Sequence, residues 1–204
     1  MFRVAYGQDI TKDDVFHYAY GMLHSPEYRE TYAADLKKLL PRIPLVIDAR
    51  PFVDAGKELF ELHVGYESLA PYPLGGTDVV ATGDPFEFFR IEKMAYAKVR
   101  EGGKLVPDKT KIKYNSRIEL TGIPADVQRY LLGPRTAVDW LIDRYQLRVD
   151  KASGNINDPN DRSKESGNPR YVLDLLARIV RLSVRTVEIV DALPALILRT
   201  EATT

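Results

Sequence analysis

Lys111, Lys113, Asn115 and Arg117 stand two residues apart in the most basic part of the chain. On a regular strand, that spacing places side chains on one face. Lysine and arginine suit phosphate oxygens and the acceptor edge of guanine; asparagine suits the donor–acceptor edge of adenine. A strand face or adjacent loop carrying both charge and amide can position and read a nucleic-acid duplex. A solvated strand face uses the same residues, so the spacing alone leaves both readings open. Lys93 extends the same patch, as could Lys98 and Arg100. Arg148, Lys151, Asn155 and Asn157 lie on a polar loop that could reach a groove.

The charge balance qualifies this picture. The 204 residues hold 29 basic and 29 acidic side chains, for a formal net charge of zero. A duplex binder more often carries an overall basic footprint. The charge is segregated, however. Residues 1–89 hold 8 basic and 14 acidic groups, residues 90–117 hold 9 and 3, and residues 118–204 hold 12 of each. One block can face phosphates while the whole stays neutral.

Other chemistries find little support. There is no cysteine, which removes disulfides and cysteine-based metal or nucleophile sites. His17, His24 and His63 match no zinc spacing. Asn157-Asp158-Pro159-Asn160-Asp161 offers oxygens but lacks the central glycine and terminal glutamate of a calcium loop; Asx turns account for it better. Asn168-Pro169-Arg170-Tyr171 differs from the N-P-P-Y site of adenine methyltransferases by its missing second proline, and an asparagine cap followed by proline explains it. No phosphate-cradling G-x-x-x-x-G-K-[ST] run is present. No catalytic residue, metal or cofactor is therefore expected. No apolar run approaches the roughly 18 residues of a membrane span and no secretory signal is visible, so the expected compartment is the cytoplasm.

The elements that must position these residues read as α+β. Helices begin the chain, an antiparallel β-region occupies its centre, and helices, one of them long, end it. Thr11 can cap a helix to Leu23, with Asp14 completing a capping box. Ser25 and Pro26 start a second, reaching Leu40 before Pro41 and Pro44 stop it. A short extended piece spans Ile43 to Ile47, and Asp48 can cap a third helix to about Val64. Proline and glycine make residues 66–85 a linker. Phe86 to Val99 reads as one or two strands with Ile91, Met94, Tyr96 and Val99 inward. Gly102-Gly103 reads as a turn. Lys111 to Leu120 alternates, with Ile112, Tyr114, Ile118 and Leu120 on the apolar side. Ala125 to Leu132 and Thr136 to Tyr145 read as short helices. Residues 147–170 form a polar loop. Asn168 then caps a helix from Pro169 to about Leu193, with Arg178, Arg181 and Arg185 along one face. One domain is expected over 1–204: a helical start (1–65), linker and β-region (66–122), and a helical part (123–204).

The wording of several segments is more specific than their pattern. "YGMLHSPEYRETYAADLKKLLPRIPL", beginning at Tyr20, resembles the start of the target-recognition domain in single-polypeptide type I (type ISP) restriction–modification enzymes. Ile112-Lys113-Tyr114-Asn115, Gly122-Ile123-Pro124, Trp140 to Gln146, Asn157 to Asn160 and Asn168 to Tyr171 follow in the same order. The resemblance runs from about Asp13 to about Pro194. It implies sequence-specific binding of double-stranded DNA without chemistry in these residues. It also implies linkage to adenine methyltransferase, helicase-like ATPase and nuclease modules in a longer polypeptide. The alternative is a non-catalytic protein-interaction or helical spacer module, which the neutral net charge would suit.

Overall fold

A computed structural model of the chain describes residues 2–199. The chain forms two compact units. One comprises the residues up to Gly65 together with those from Arg185 onward; the other comprises Tyr66–Val184.

The first unit contains α1 (Phe2–Tyr6), α2 (Lys12–His24), α3 (Pro26–Thr31), α4 (Ala33–Lys37) and α5 (Arg50–Val64). Thr11 starts α2 with both bonds of the capping box to Asp14 in place. Ser25 caps α3 by accepting from Tyr28 N, with Pro26 in the first turn. The helix expected from Pro26 to Leu40 is broken at Tyr32, so the stretch becomes two short helices. Ala49, not Asp48, occupies the cap position of α5, and Asp48 Oδ1, one residue before it, accepts from Arg50 N.

The extended piece after the prolines has little sheet to satisfy it; Val46 makes an isolated bridge to Leu198. Tyrosine hydroxyls complete its pairing. Tyr18 donates to Pro44 O at 2.6 Å and accepts from Val46 N at 3.2 Å. Tyr6 donates to Val46 O and Tyr28 to Arg42 O. Tyr18 and Tyr28 are fully buried, and burial pushes both phenols above their ordinary pKa. A buried phenol with a partner adds apolar area without leaving a polar atom orphaned.

Gly21 of α2 and Gly56 of α5 let these two helices meet backbone to backbone. A Cβ on Gly56 would lie 1.8 Å from His17 O, and one on Gly21 would lie 2.2 Å from Phe52 O. At the end of this pair, His63 shares hydrogen bonds with the Tyr20 hydroxyl at 2.8 Å and the Thr186 hydroxyl at 2.9 Å. Burial, helped by the nearby His24 ring, pulls the His63 pKa down to about 4. It is a neutral packing residue at pH 7.

The second unit is built on a three-stranded antiparallel sheet, β1 (Ala95–Glu101), β2 (Lys104–Lys113) and β3 (Glu119–Thr121), in that order. Its core joins Ile91, Met94, Ile112, Tyr114 and Leu120 to Leu173 and Leu176 of a long helix. Phe86, read from sequence as strand, instead lies in α6 (Pro85–Phe88), capped by Asp84. Val99, expected inward, is 39% exposed. Val99 shares its face with buried Ala97, but it lies on the part of β1–β2 beyond β3, which pairs only with Lys111–Lys113, so little covers it. The helix expected over Ala125–Leu132 is replaced by a 3₁₀ turn (Ala125–Gln128) and a hairpin of β4 (Leu131–Leu132) and β5 (Arg135–Thr136). Gly133-Pro134 supplies that hairpin's turn.

Thr136 then caps α7 (Ala137–Arg144) with Asp139 completing a capping box. The polar stretch after it holds a hairpin of β6 (Arg148–Val149) and β7 (Ile156–Asn157), followed by α8 (Asp161–Glu165). The long helix is α9 (Tyr171–Asp191). Asn168 Oδ1 accepts from Arg170 N just before it. Arg178 donates to Leu69 O, and Arg181 to Ala70 O and Pro71 O. These two arginines hold the linker down and do not form a free charged face. No described helix is long and apolar enough to cross a membrane.

Candidate nucleic-acid interface

The alternating run from Lys111 to Leu120 is a hairpin, not one strand. Ile112 pairs with Leu120 and Lys113 with Glu119, while residues 114–118 make the bend. Lys111 and Lys113 are exposed on β2, and Ile112 and Tyr114 are buried behind them. Asn115 and Arg117 belong to the bend. The Asn115 carboxamide donates to Phe88 O and Arg90 O, both at 3.0 Å, and accepts from Arg117 N and Ile118 N. Arg117 donates to Glu87 O and lies over the Phe88 ring. The four residues grouped by sequence therefore divide into two exposed lysines and two members of a pinned turn. The Asn115 amide is committed to backbone groups.

Asn115 is one of three carboxamides that hold residues 88–94, a segment in no strand. Asn160 accepts from Ile91 N and donates to Ile91 O, both at 2.8 Å. Gln146 accepts from Met94 N and donates to Met94 O. Tyr114 OH donates to Phe89 O, and Leu147 N to Glu92 O. A side-chain amide copies the donor and acceptor of a neighbouring strand, so this backbone is paired without a sheet. Much of the distinctive wording of the chain serves this brace: Tyr114-Asn115, Gln146 and Asn160. The acidic oxygens of the Asn157–Asp161 run are likewise engaged, with Asp158 accepting from Asn160 N and Nδ2.

The brace fixes the exposed Lys93. With Asn115, Ser116 and Arg117, Lys93 lines one open depression; with Tyr96, Asp139 and Arg148 it lines the next. Arg148 is tied back to Asp143, donating to its backbone oxygen and carboxylate at 2.8 and 2.7 Å. That bond, reinforced by Arg148, Arg135 and Arg144 charge, holds the Asp143 carboxyl below its usual pKa. Arg135 and Arg144 lie over the Trp140 ring. Lys151, Asn155 and Asn157 are exposed on the β6–β7 hairpin, away from either depression's lining. Among the described residues, no three His, Cys, Asp or Glu side chains gather as a metal site.

Pairing separates the cations of this unit. Lys109 binds Asp139 at 2.8 Å and covers the Tyr96 ring. Arg90 and Arg170 also have carboxylate partners. The side chains of Lys93, Lys98, Arg100, Lys104, Lys111 and Lys113 make no hydrogen bond or ion pair with the described residues. All six lie on β1, β2 or the braced segment before them. Sequence reading passed over Lys104, although its place beside the Gly102-Gly103 turn was visible.

A helical entry and a short antiparallel sheet whose strands and braced lead-in carry unpaired cations define this class of fold. The chain belongs to the Type ISP C-terminal specificity domain family, whose model matches residues 2–175. It is similar to a nuclease-deletion mutant of the Type ISP restriction-modification enzyme LlaGI in complex with a DNA substrate mimic. The match has 36% identity and a TM-score of 0.77, over 94% of this chain and 17% of that one. It is also similar to the ATP-dependent Type ISP enzyme LlaBIII bound to DNA, at 33% identity and a TM-score of 0.76, over 94% and 12% of the two chains. A DrdV–DNA complex matches at 32% identity and a TM-score of 0.74, over 97% and 19%. This chain thus spans less than a fifth of the length of each. No curated protein sequence matches it significantly.

Proposed function

We propose that this chain is the target-recognition part of a restriction–modification enzyme and binds a short sequence of double-stranded DNA. The observation that carries the reading is the coincidence of family membership with six unpaired cations on β1, β2 and the lead-in to them. Three similar structures are DNA complexes. Phosphate contacts set register and orientation, and contacts to base edges select sequence. The exposed Lys93, Lys111 and Lys113 suit the first task. Lys151, Asn155 and Asn157 on the β6–β7 hairpin remain candidates for further contacts, and Arg148 can serve only while still holding Asp143. Asn115 and Arg117 shape the turn beside them.

In this reading the chain performs no chemistry. It directs linked adenine methylation and DNA cleavage by methyltransferase, helicase-like ATPase and nuclease modules of a longer polypeptide, in the cytoplasm. Release of counterions by a few phosphate contacts gives a binding constant that falls steeply with salt, by roughly 0.9 log units per log unit of salt for each contact. Titration of a labelled randomised duplex at rising salt is expected to show binding that weakens with a slope of several units, as about four to six contacts require. Binding indifferent to salt, or none to any duplex at low salt, contradicts the proposal.

A further inference from the structure

Beyond the register shift at Tyr96 and Ala97, β1 and β2 continue as a two-stranded ribbon. The pairs are Lys98 with Pro107, Val99 with Val106, Arg100 with Leu105, and Glu101 with Lys104. Gly102 and Gly103 close it with φ of +54° and +83°, the double left-handed conformation of a tight hairpin turn that matches strand twist. β3 pairs only with Lys111–Lys113, so both edges of the ribbon are open. Both faces are wet as well. Leu105 is 61% exposed, and within these four pairs Val106 alone is half-buried. A ribbon of this kind gains little from packing. It nonetheless carries three unpaired cations, Lys98, Arg100 and Lys104, beside exposed branched apolar side chains.

The ribbon's dimensions select its partner surface. Four residues at about 3.3 Å rise project it about 13 Å. The major groove of B-form DNA, about 12 Å wide and 8.5 Å deep, admits a two-stranded ribbon, whereas the minor groove at about 6 Å does not. Strand alternation and cross-strand pairing put Lys98, Arg100 and Leu105 on one face. That set matches what a groove presents: a phosphate for Lys98, the O6/N7 pair of guanine for the Arg100 fork, and the thymine methyl for Leu105. Lys104, next to the turn on the returning strand, is placed for the opposite phosphate row.

We infer that the distal β1–β2 ribbon enters the major groove and that Arg100 is a specificity-determining residue, reading a guanine within the target. The inference rests on the DNA-binding reading above and adds to it the element and the side chain that discriminate. The test uses the full chain and a pool of randomised 25-base-pair duplexes. The pool is selected by the parent chain, then by Arg100→Ala, Arg100→Lys, Lys98→Ala and Lys104→Ala, with melting of each variant recorded. The parent is expected to enrich a site with a fixed guanine. Arg100→Ala is expected to lose the preference at that position and bind the parent's site about 10-fold or more weaker. Arg100→Lys is expected to keep the salt slope but blur the guanine preference, because an ammonium cannot form the paired fork. Lys98→Ala and Lys104→Ala are expected to weaken all sequences alike and lower the slope by about one. If the parent selects a site and the Arg100 variants select the same one with equal affinity, the ribbon inference fails while the DNA-binding reading stands. If the parent binds no duplex, both fail together.

Discussion

Gly56→Ala is expected to unfold the first unit at a much lower temperature. Alanine is normally the better helix former, by about 1 kcal/mol. Here its Cβ would sit 1.8 Å from His17 O and 2.7 Å from Gly21 N, which are backbone atoms of the opposing helix. Backbone cannot rotate away as a side chain can. The helices would have to part, loosening Phe52 and Leu59 in the buried seam. The expected net loss is about 3 kcal/mol, the upper end for overpacking. Gly103→Ala is the control. Nothing lies within 4 Å of its added Cβ, so the φ of +83° alone should matter, at about 1–2 kcal/mol. Far-UV circular dichroism on heating should separate the two variants clearly. Equal melting of Gly56→Ala and the parent would show that the helices are not in backbone contact.

Asn160→Ala is expected to cost the second unit about 3 kcal/mol, and Asn115→Ala about 2 kcal/mol, since each strands buried or half-buried backbone groups that cost about 1–3 kcal/mol when unpaired. Asn160 is 6% exposed, and its loss orphans both the N–H and the carbonyl of Ile91, a fully buried residue. Asn115 is partly exposed, so water can recover some of its bonds. Trp140 is the one tryptophan of the chain and lies in the second unit, so its fluorescence in urea follows that unit. If Asn115→Ala keeps the parent's midpoint and loses DNA binding, the amide is a reader and not a brace.

That contrast marks where the sequence was legible. Caps were: Thr11 with Asp14 forms the box it suggests, because capping needs only neighbours in the chain. The apolar stripe of α9 was also clear in the sequence, since Val172, Leu175, Leu176 and Leu182 follow helical spacing and are buried. The bend at residues 114–118 was not. In the β2–β3 hairpin Ile112 faces Leu120, so inward positions are even-numbered on both strands. Alternation passes through the turn unbroken and imitates one long strand. Asp84-Pro85 had the same cap-and-proline form as Ser25-Pro26 and could have revealed α6.

For the candidate site, residue type alone was ambiguous at Asn115. An adenine edge and a peptide group offer the same donor–acceptor pair, so the same amide suits either. The lysines were legible as a charged block. Which of them lack partners depends on Asp139 reaching Lys109 from α7, 30 residues away in the chain.

The central claim is that duplex DNA is held by the cations of β1, β2 and the segment before them, and not by charge in general. The most direct test compares two triple variants that reverse the same amount of charge: Lys93→Glu, Lys111→Glu and Lys113→Glu in the second unit, and Lys12→Glu, Lys37→Glu and Lys38→Glu in the first. All six lysines are exposed. Binding to a parent-selected duplex is measured across a salt series. The first triple should lose most of its affinity at low salt and flatten the salt slope by about three units, one per lost phosphate contact. The second should keep the parent's slope. Equal loss in both triples, or an undiminished slope in the first, would contradict the account.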